Sequence, residues 1–311
     1  MARHVVVGAG GIGRATARKL AQRGHEVTLA SRSGTDPGLE GVRAVAADAA
    51  DARALASLAS GAASLVNAVN PSHYHTWARD WPPVAAAMLS AAETSGAALL
   101  TVSNLYGYGP VAAPMTESTP LRPAGTKGEL RAGMWRDALA AHEAGRIRAS
   151  ELRASDYFGP GATGRVSMLN AFVIAPAAAG RTVRLITGGP DVPHSWTYLE
   201  DIGTLAAVLA TDDRAWGRPW HVPTSAPRTV REVVAEVAGL RGHPVPAVTR
   251  MPGVMRAVAR LSPTVRELDE TRYQFDQPFV LDSTQAESTF GLAPTPWHEA
   301  LAETVTALAP R

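Results

Sequence analysis

The sequence predicts an α/β protein: a doubly wound parallel sheet with a smaller, mostly helical C-terminal lobe. Three observations carry that prediction. The opening residues, to Arg32, read as strand, glycine turn, helix, strand. Short apolar runs then alternate with helical stretches as far as Arg153, the pattern of βα units in a parallel sheet. From Asp156 onward the alternation becomes irregular and helical patterns dominate.

In the opening unit, Val5 to Val7 is a short apolar run that reads as a buried strand. Gly8-Ala9-Gly10-Gly11-Ile12-Gly13 turns the chain into an amphipathic stretch, Ile12 to Arg23, closed by Gly24, and Val27 to Ala30 supplies the second strand. This G-x-G-x-x-G, set between strand and helix, predicts a dinucleotide site. Gly8 permits the tight turn, Gly10 lets the backbone approach a pyrophosphate, and Gly13 lets helix pack on strand. The N–H groups around Gly11 and Ile12, at the positive end of the helix dipole, suit the phosphates. Where NAD-binding proteins carry an acid for the ribose 2′-hydroxyl stand Ser31-Arg32-Ser33, with no acid until Asp36. A guanidinium and hydroxyls favour a 2′-phosphate, so the expected cofactor is NADP(H).

Composition narrows the class. The 311 residues, 46% hydrophobic and 19% charged, are ordinary for a globular chain and suit one large unit with an appended lobe. A net charge of +2 with no basic block argues against nucleic-acid or membrane-surface binding. With no cysteine there is no disulfide frame, no thiolate chemistry and no Cys-based metal site. Met1-Ala2-Arg3-His4 leads straight into the first strand without a signal peptide. The longest uncharged run, Ala54 to Ala78, is broken by Gly61, Asn67, Asn70 and Pro71. A soluble cytoplasmic protein is expected. Lys19 and Lys127 are the only lysines among 30 Lys and Arg, and this Arg- and Ala-rich usage suggests a high-GC bacterial genome.

In chain order, Val42 to Ala47 reads as a third strand ending at Asp48, followed by a helix from Asp51 to Ala59 and a fourth strand from Ser64 to Asn67. Ala68 to His75 is then a loop at a strand's carboxyl end, where open α/β sheets bind ligands. Pro82 or Pro83 is read as the start of a helix to Ser95, and Ala97 to Val102 as the fifth strand. A long loop, Ser103 to Gly125, carries Tyr106 and Tyr108; loops of that length tend to be functional. Thr126 and Glu129 fit a capping box for a helix to about Glu143, and Ile147 to Arg153 makes the sixth strand. Beyond it, helices are expected near Ser167–Ala179, after Tyr198, and over Thr229–Ala238, Val254–Leu261, Thr284–Phe290 and Pro296–Leu308, with a strand near Thr182–Ile186. The division is then 1–160, with 195–222 returning, for the dinucleotide-binding Rossmann part, and 161–194 with 223–311 for a substrate-binding lobe.

The glycine motif, Asp48, Val102-Ser103 before Tyr106-Gly107, Arg153-Ala154-Ser155-Asp156-Tyr157-Phe158-Gly159-Pro160 and Trp196 to Asp201 together resemble the extended short-chain dehydrogenase/reductases, the NAD(P)-dependent epimerase/dehydratase family. The resemblance covers nearly the whole chain. It implies the Rossmann fold, Asp48 facing the adenine, and a homodimer through helices near 83–95 and 129–145. Two features depart from the family. The glycine motif is the six-residue form, where extended members usually show G-x-x-G-x-x-G. The family's catalytic Y-x-x-x-K is missing: counting back from Arg153 puts its tyrosine at Lys127 and its lysine at Arg131.

Lys127 and Arg131, four apart on one helix face, are the candidate replacements. Arg131 suits the nicotinamide ribose but not proton transfer. Lys127, beside another cation, suits a general acid or a fixed charge for an oxyanion. Ser103, at the family's Ser/Thr position, is a candidate for binding a substrate carbonyl, and the loop tyrosines Tyr106 and Tyr108 are candidates to replace the lost phenol, with Asn67 and Asn70 beside the cofactor. His73, Tyr108, Asp156 and Trp196 are candidate substrate contacts; His73-Tyr74-His75 lacks a third ligand for a metal. The reading is an NADP(H)-dependent oxidoreductase or epimerase-type enzyme, acting on a carbonyl or hydroxyl carbon of a small polar metabolite of sugar-nucleotide or secondary-metabolite type. The missing phenol leaves two alternatives, a redox-silent NADP-binding sensor or scaffold and a non-redox isomerase or cyclase.

Overall fold

The computed structural model describes residues 1–71, 73–162, 167–251 and 269–308. Its strands are β1 (Arg3–Val7), β2 (Glu26–Ser31), β3 (Val42–Ala46), β4 (Ser64–Asn67), β5 (Ala98–Asn104), β6 (Ala149–Ala154), β7 (Tyr157–Phe158), β8 (Val183–Leu185), β9 (Thr197–Tyr198), β10 (Pro219–His221) and β11 (Val248–Arg250). The helices are α1 (Gly11–Gln22), α2 (Ala52–Ala59), α3 (Trp77–Ser95), α4 (Thr126–Glu143), α5 (Ala175–Ala178), α6 (Leu199–Leu209), α7 (Val230–Arg241), α8 (Tyr273–Asp276), α9 (Thr284–Phe290) and α10 (Trp297–Ala307).

Seven parallel strands form the central sheet in the order β10-β6-β5-β4-β1-β2-β3. This is the doubly wound Rossmann arrangement, and its order reverses between β1 and β4, where such sheets open a crevice for ligands. Trp77, Trp81 and Met88 of α3 cover one face with α2 and α4. Leu20 of α1 and Ile202 and Leu205 of α6 cover the other. A separate apolar cluster, including Phe158, Val173, Val233 and Trp297, underlies the C-terminal helices. Among the described residues no helix is long and apolar enough to cross a membrane.

Several boundaries differ from the sequence reading. Helix α3 begins at Trp77, five residues before Pro82. Trp77 and Trp81, one turn apart and both buried, anchor its first turns, while Pro82 and Pro83 sit on the exposed face. Water can there satisfy the carbonyls that lose their donors. Strands β5 and β6 are shifted toward their carboxyl ends, and β10, a three-residue edge strand, is too short to show a pattern of its own. The capping box at Thr126 does not form: Gly125, at φ 89°, is the N-cap, and the Glu270 carboxylate accepts from the Lys127 N–H at 2.5 Å. A charged acceptor at a helix N-terminus outcompetes a hydroxyl. Glu129 instead pairs with Arg136 at 3.1 Å. A capping box does form at Thr229 with Glu232. The helix expected over Val254–Leu261 lies outside the described residues.

Candidate active site

At the carboxyl edge of the sheet, beside the glycine turn, lies a cavity of about 100 Å³. Four strand ends build it: Ile12 follows β1, Asn70 and Tyr74 follow β4, Ser103 and Tyr106 come from β5 and its loop, and Asp156 and Tyr157 follow β6. Gln274 and Phe279 close it from the C-terminal side, and Arg131 enters from α4. Ile12, Asn70, Ser103, Tyr106, Arg131 and Asp156, far apart in sequence and all singled out there, therefore line one chamber.

The glycine turn leaves no room for side chains at three of its glycines. Gly8 takes φ 111°, and a Cβ on Gly13 would stand 1.7 Å from the Gly8 carbonyl oxygen, so neither position admits a side chain. A Cβ on Gly11 would stand 2.5 Å from the Gly161 oxygen, whereas one on Gly10 would meet nothing within 4 Å. Gly10 is the N-cap of α1, with no side-chain acceptor in front of the helix. Close packing on three sides and open space at the helix start make a cradle for a diphosphate. At the end of β2, Ser31 Oγ accepts from the Gly34 N–H at 3.1 Å, and Arg32 is exposed. The nearest acid in sequence, Asp36, is turned into its own loop, accepting from the Gly38 N–H at 2.9 Å. Asp48 is exposed beyond β3 and accepts from the Ala50 N–H at 3.0 Å. Asn67 is buried, its Oδ1 accepting from the Val69 N–H at 3.2 Å, so its side chain shapes the loop rather than lining the chamber.

Arg131 is held from three sides. It donates to the Val102 carbonyl at 3.3 Å and to Asn70 Oδ1 at 3.2 Å, and its guanidinium lies 4.3 Å from the Trp81 ring centroid and 5.0 Å from that of Trp77. Burial lowers its pKa to about 10, which leaves it a cation at neutral pH. Its buried Nε–H makes no hydrogen bond. A nicotinamide dinucleotide would fit these features, with its diphosphate at the glycine turn and Arg131 lining the same chamber.

The phenols of Tyr106 and Tyr74 meet at 3.1 Å. Burial pushes Tyr74 above the ordinary phenol value and Tyr106 well above it, the neighbouring Tyr74 and Asp156 adding to the latter. Asp156 is the one carboxylate among the described lining residues. Its Oδ2 faces His194 Nε2 at 3.0 Å, without hydrogen-bond alignment, and His194 Nδ1 donates to the Gln274 carbonyl at 3.1 Å.

Four expectations are corrected. Lys127 is 1% exposed and does not line the chamber; its ammonium forms an ion pair with Glu270 at 2.8 Å. It is a structural cation with its own counter-ion, because the helix face it shares with Arg131 turns it onto the segment after residue 268. Tyr108 is also outside the chamber. Its hydroxyl accepts from Arg153 at 2.7 Å and donates to His221 Nε2 at 2.7 Å, inside the core. His73 is exposed and stacks on His75 with ring centroids 5.4 Å apart, away from the lining residues. Trp196 lines a neighbouring apolar cavity of about 50 Å³, together with Phe172, Ile186 and Phe275. Tyr74, Tyr157, Gln274 and Phe279 were missed. Tyr74 stands in the ligand-binding loop between two histidines that drew attention instead; the last two come from a segment more than 100 residues from the other walls.

The model of the NAD dependent epimerase/dehydratase family matches residues 4–221. The chain belongs to that family. Over 167 residues it is 31% identical to the dTDP-6-deoxy-L-talose 4-dehydrogenase (NAD(P)(+)) of Kitasatospora kifunensis, a match spanning 52% of each chain, about half of that relative's length. Solved family folds superpose over nearly the whole chain. The dTDP-glucose 4,6-dehydratase of Bacillus anthracis, in complex with NAD, gives a TM-score of 0.79 at 16% identity, covering 99% of this chain and 96% of that one. The UDP-glucose 4-epimerase of Thermotoga maritima, with UDP-glucose, gives 0.77 at 16%, covering 98% of each. A putative epimerase of Burkholderia cenocepacia gives 0.75 at 22%, covering 99% and 98%. At such identities these likenesses speak for the fold.

Proposed function

We propose that this family member is an NADP(H)-dependent oxidoreductase that moves hydride between the nicotinamide and a carbon of a small polar metabolite. In the reading from sequence that carbon is a carbonyl or hydroxyl carbon. The observation that carries the proposal is the single chamber joining Ile12 of the glycine turn, Arg131, Ser103 and Tyr106. NADP(H) supplies or accepts the hydride. Gly8 to Gly13 hold its diphosphate, Arg131 and Asn70 its nicotinamide ribose, and Ser31 and Arg32 its 2′-phosphate. Ser103 and Tyr106 hydrogen-bond the reacting heteroatom. With its pKa raised by burial, Tyr106 is a hydrogen-bond partner rather than a proton carrier, since proton transfer works best near the operating pH. The relatives' names bring dTDP- and UDP-sugars onto the list of substrates to try. The apolar groove between α3 and α4, lined by Ala85, Leu89, Leu130 and Met134, is read as a homodimer face, which sedimentation would test.

Parallel fluorescence titrations with NADPH and NADH, repeated on Arg32→Ala, test the cofactor assignment. Tight NADPH binding that weakens in the variant, against weak NADH binding in both, is the expected result. Equal affinities for the two nucleotides would remove the 2′-phosphate role. Stoichiometric binding without hydride transfer across a substrate panel would favour the sensor alternative. Product formation with flat nicotinamide absorbance would favour the isomerase.

A further inference from the structure

We propose that the chamber takes a cationic nitrogen at the reacting carbon, an iminium on the oxidised side and its amine on the reduced side. The proposal rests on the NADP(H) reading and names the reacting group within it. Three features of the chamber lead to it. Its walls carry the aromatic rings of Tyr106, Tyr157 and Phe279, beside those of Tyr74 and Trp77, which already face the Lys127 ammonium at 5.6 Å and the Arg131 guanidinium at 5.0 Å. Rings around a small cavity attract a cation through their negative faces, most strongly where water is excluded. Among them stands Asp156, with a side chain 19% exposed; its Oδ2 is shielded against His194, which leaves Oδ1 as the oxygen available to a ligand. The chamber's own cation, Arg131, is turned onto Trp77 and Trp81 and tied to Asn70 and Val102 on the cofactor side. An anionic reacting group would face Asp156 without a free counter-charge, whereas an ammonium or iminium meets both carboxylate and rings.

The third feature is the lost phenol. Counted from the family motif, Lys127 stands where the tyrosine is expected; it is paired with Glu270 and is not a lining residue, its ammonium lying behind the Tyr74 ring, 5.6 Å from the centroid. Reduction of a carbonyl needs a proton for the developing alkoxide. Reduction of an iminium does not: hydride adds to carbon, the C=N π pair moves onto nitrogen, and a neutral amine forms. The two electrons come with the hydride of a reduced nicotinamide dinucleotide, which leaves oxidised, and the amine then takes a proton from solvent. The phenols that remain, Tyr74 and Tyr106, are pushed by burial away from proton exchange at neutral pH, in keeping with a reaction that asks none of them.

The probes are 1-pyrroline, cyclopentanone of the same ring size, and pyrrolidine as the reduced amine. NADPH consumption is expected to be at least about ten-fold faster with 1-pyrroline than with cyclopentanone. Calorimetric binding of pyrrolidine, with NADP⁺ present, should weaken at least about ten-fold in Asp156→Asn and about three-fold or more in Tyr157→Leu. NADPH affinity within about two-fold of the parent would show that both variants are folded. The proposal is overturned if cyclopentanone is consumed as fast as 1-pyrroline, if pyrrolidine does not bind the parent protein, or if it binds the parent and Asp156→Asn equally. Each of those results leaves the NADP(H) reading standing. Absence of binding by any nicotinamide nucleotide overturns both.

Discussion

Tyr108→Phe separates a tyrosine that builds the protein from one that works in the chamber. The Tyr108 hydroxyl is the middle of a buried chain: Glu151 accepts from Arg153 at 2.6 Å, Arg153 donates to Tyr108, Tyr108 donates to His221 Nε2, and His221 Nδ1 donates to the Asp282 carbonyl at 2.8 Å. These contacts stitch β6 and β10 of the sheet to the loop after β5 and to the segment before α9. Removing the hydroxyl takes a charge-assisted bond from a buried guanidinium and a bond from a buried ring nitrogen. The first is worth about 1.5–3 kcal/mol and the second about 1 kcal/mol, so about 2.5–4 kcal/mol of stability should be lost. That is a large share of an ordinary folding free energy of about 5–15 kcal/mol. Urea unfolding followed by circular dichroism reads the loss as a lower midpoint at unchanged slope. NADPH affinity, measured well below that midpoint, should stay within about two-fold. The reasoning is refuted if stability falls by less than about 0.5 kcal/mol, or if NADPH binding or turnover drops about ten-fold while stability holds, because Tyr108 would then belong to the site after all.

The glycine turn offers a paired test: Gly13→Ala forces a Cβ to within 1.7 Å of a backbone oxygen and should cost several kcal/mol, about 3 or more, in thermal unfolding. Gly10→Ala meets nothing within 4 Å, so it should leave stability within about 1 kcal/mol yet weaken NADPH binding at least about ten-fold; unchanged binding would mean that no diphosphate passes there. Acid should destabilise the fold early. Burial lowers His4 and His221 from 6.5 to about 4, so between those values the unfolded chain holds protons that the native one excludes. Stability therefore rises with pH across that window, by up to about 1.4 kcal/mol per pH unit for each histidine. Glu117 and Asp201, raised by burial, work the opposite way toward its acid end. Urea midpoints at pH 5, 6 and 7 should fall in order with acidity, and a flat profile would contradict the burial of both rings. At the Lys127–Glu270 pair, Glu270→Gln should destabilise by about 1–3 kcal/mol, since it takes the carboxylate charge away from a buried ammonium. Lys127→Met, apolar and of similar length, should cost less; the reverse order would show that the lysine, not its partner, organises that end of α4.

What was legible in the sequence and what was not divides along one physical line. The sheet and the glycine turn at its edge were legible because their signals are local. Gly8, Gly10 and Gly13 act through their own backbone, and Val5 to Val7 or Ser64 to Asn67 announce buried strands by their own apolarity. Arg131 could be placed on the chamber wall because it stands 22 residues before Arg153, a distance fixed by one helix and the strand that follows. The chamber's remaining walls are not local. Glu270 reaches Lys127 across 143 positions, and nothing near residue 127 records that a carboxylate will arrive to cap the helix and neutralise the ammonium. The same blindness misassigned Tyr108. In sequence it is a second tyrosine on an active-site loop, two residues beyond Tyr106. In the fold that short step carries it through the sheet's edge into the Arg153–His221 chain, whose members come from 45 and 113 positions away. A motif count locates a residue type at a distance along the chain; a polar group's role is decided by which buried partner satisfies it. Lys127 follows the same rule. A count from the family motif puts it at the tyrosine site, but its ammonium is paired with Glu270, and the partner decides.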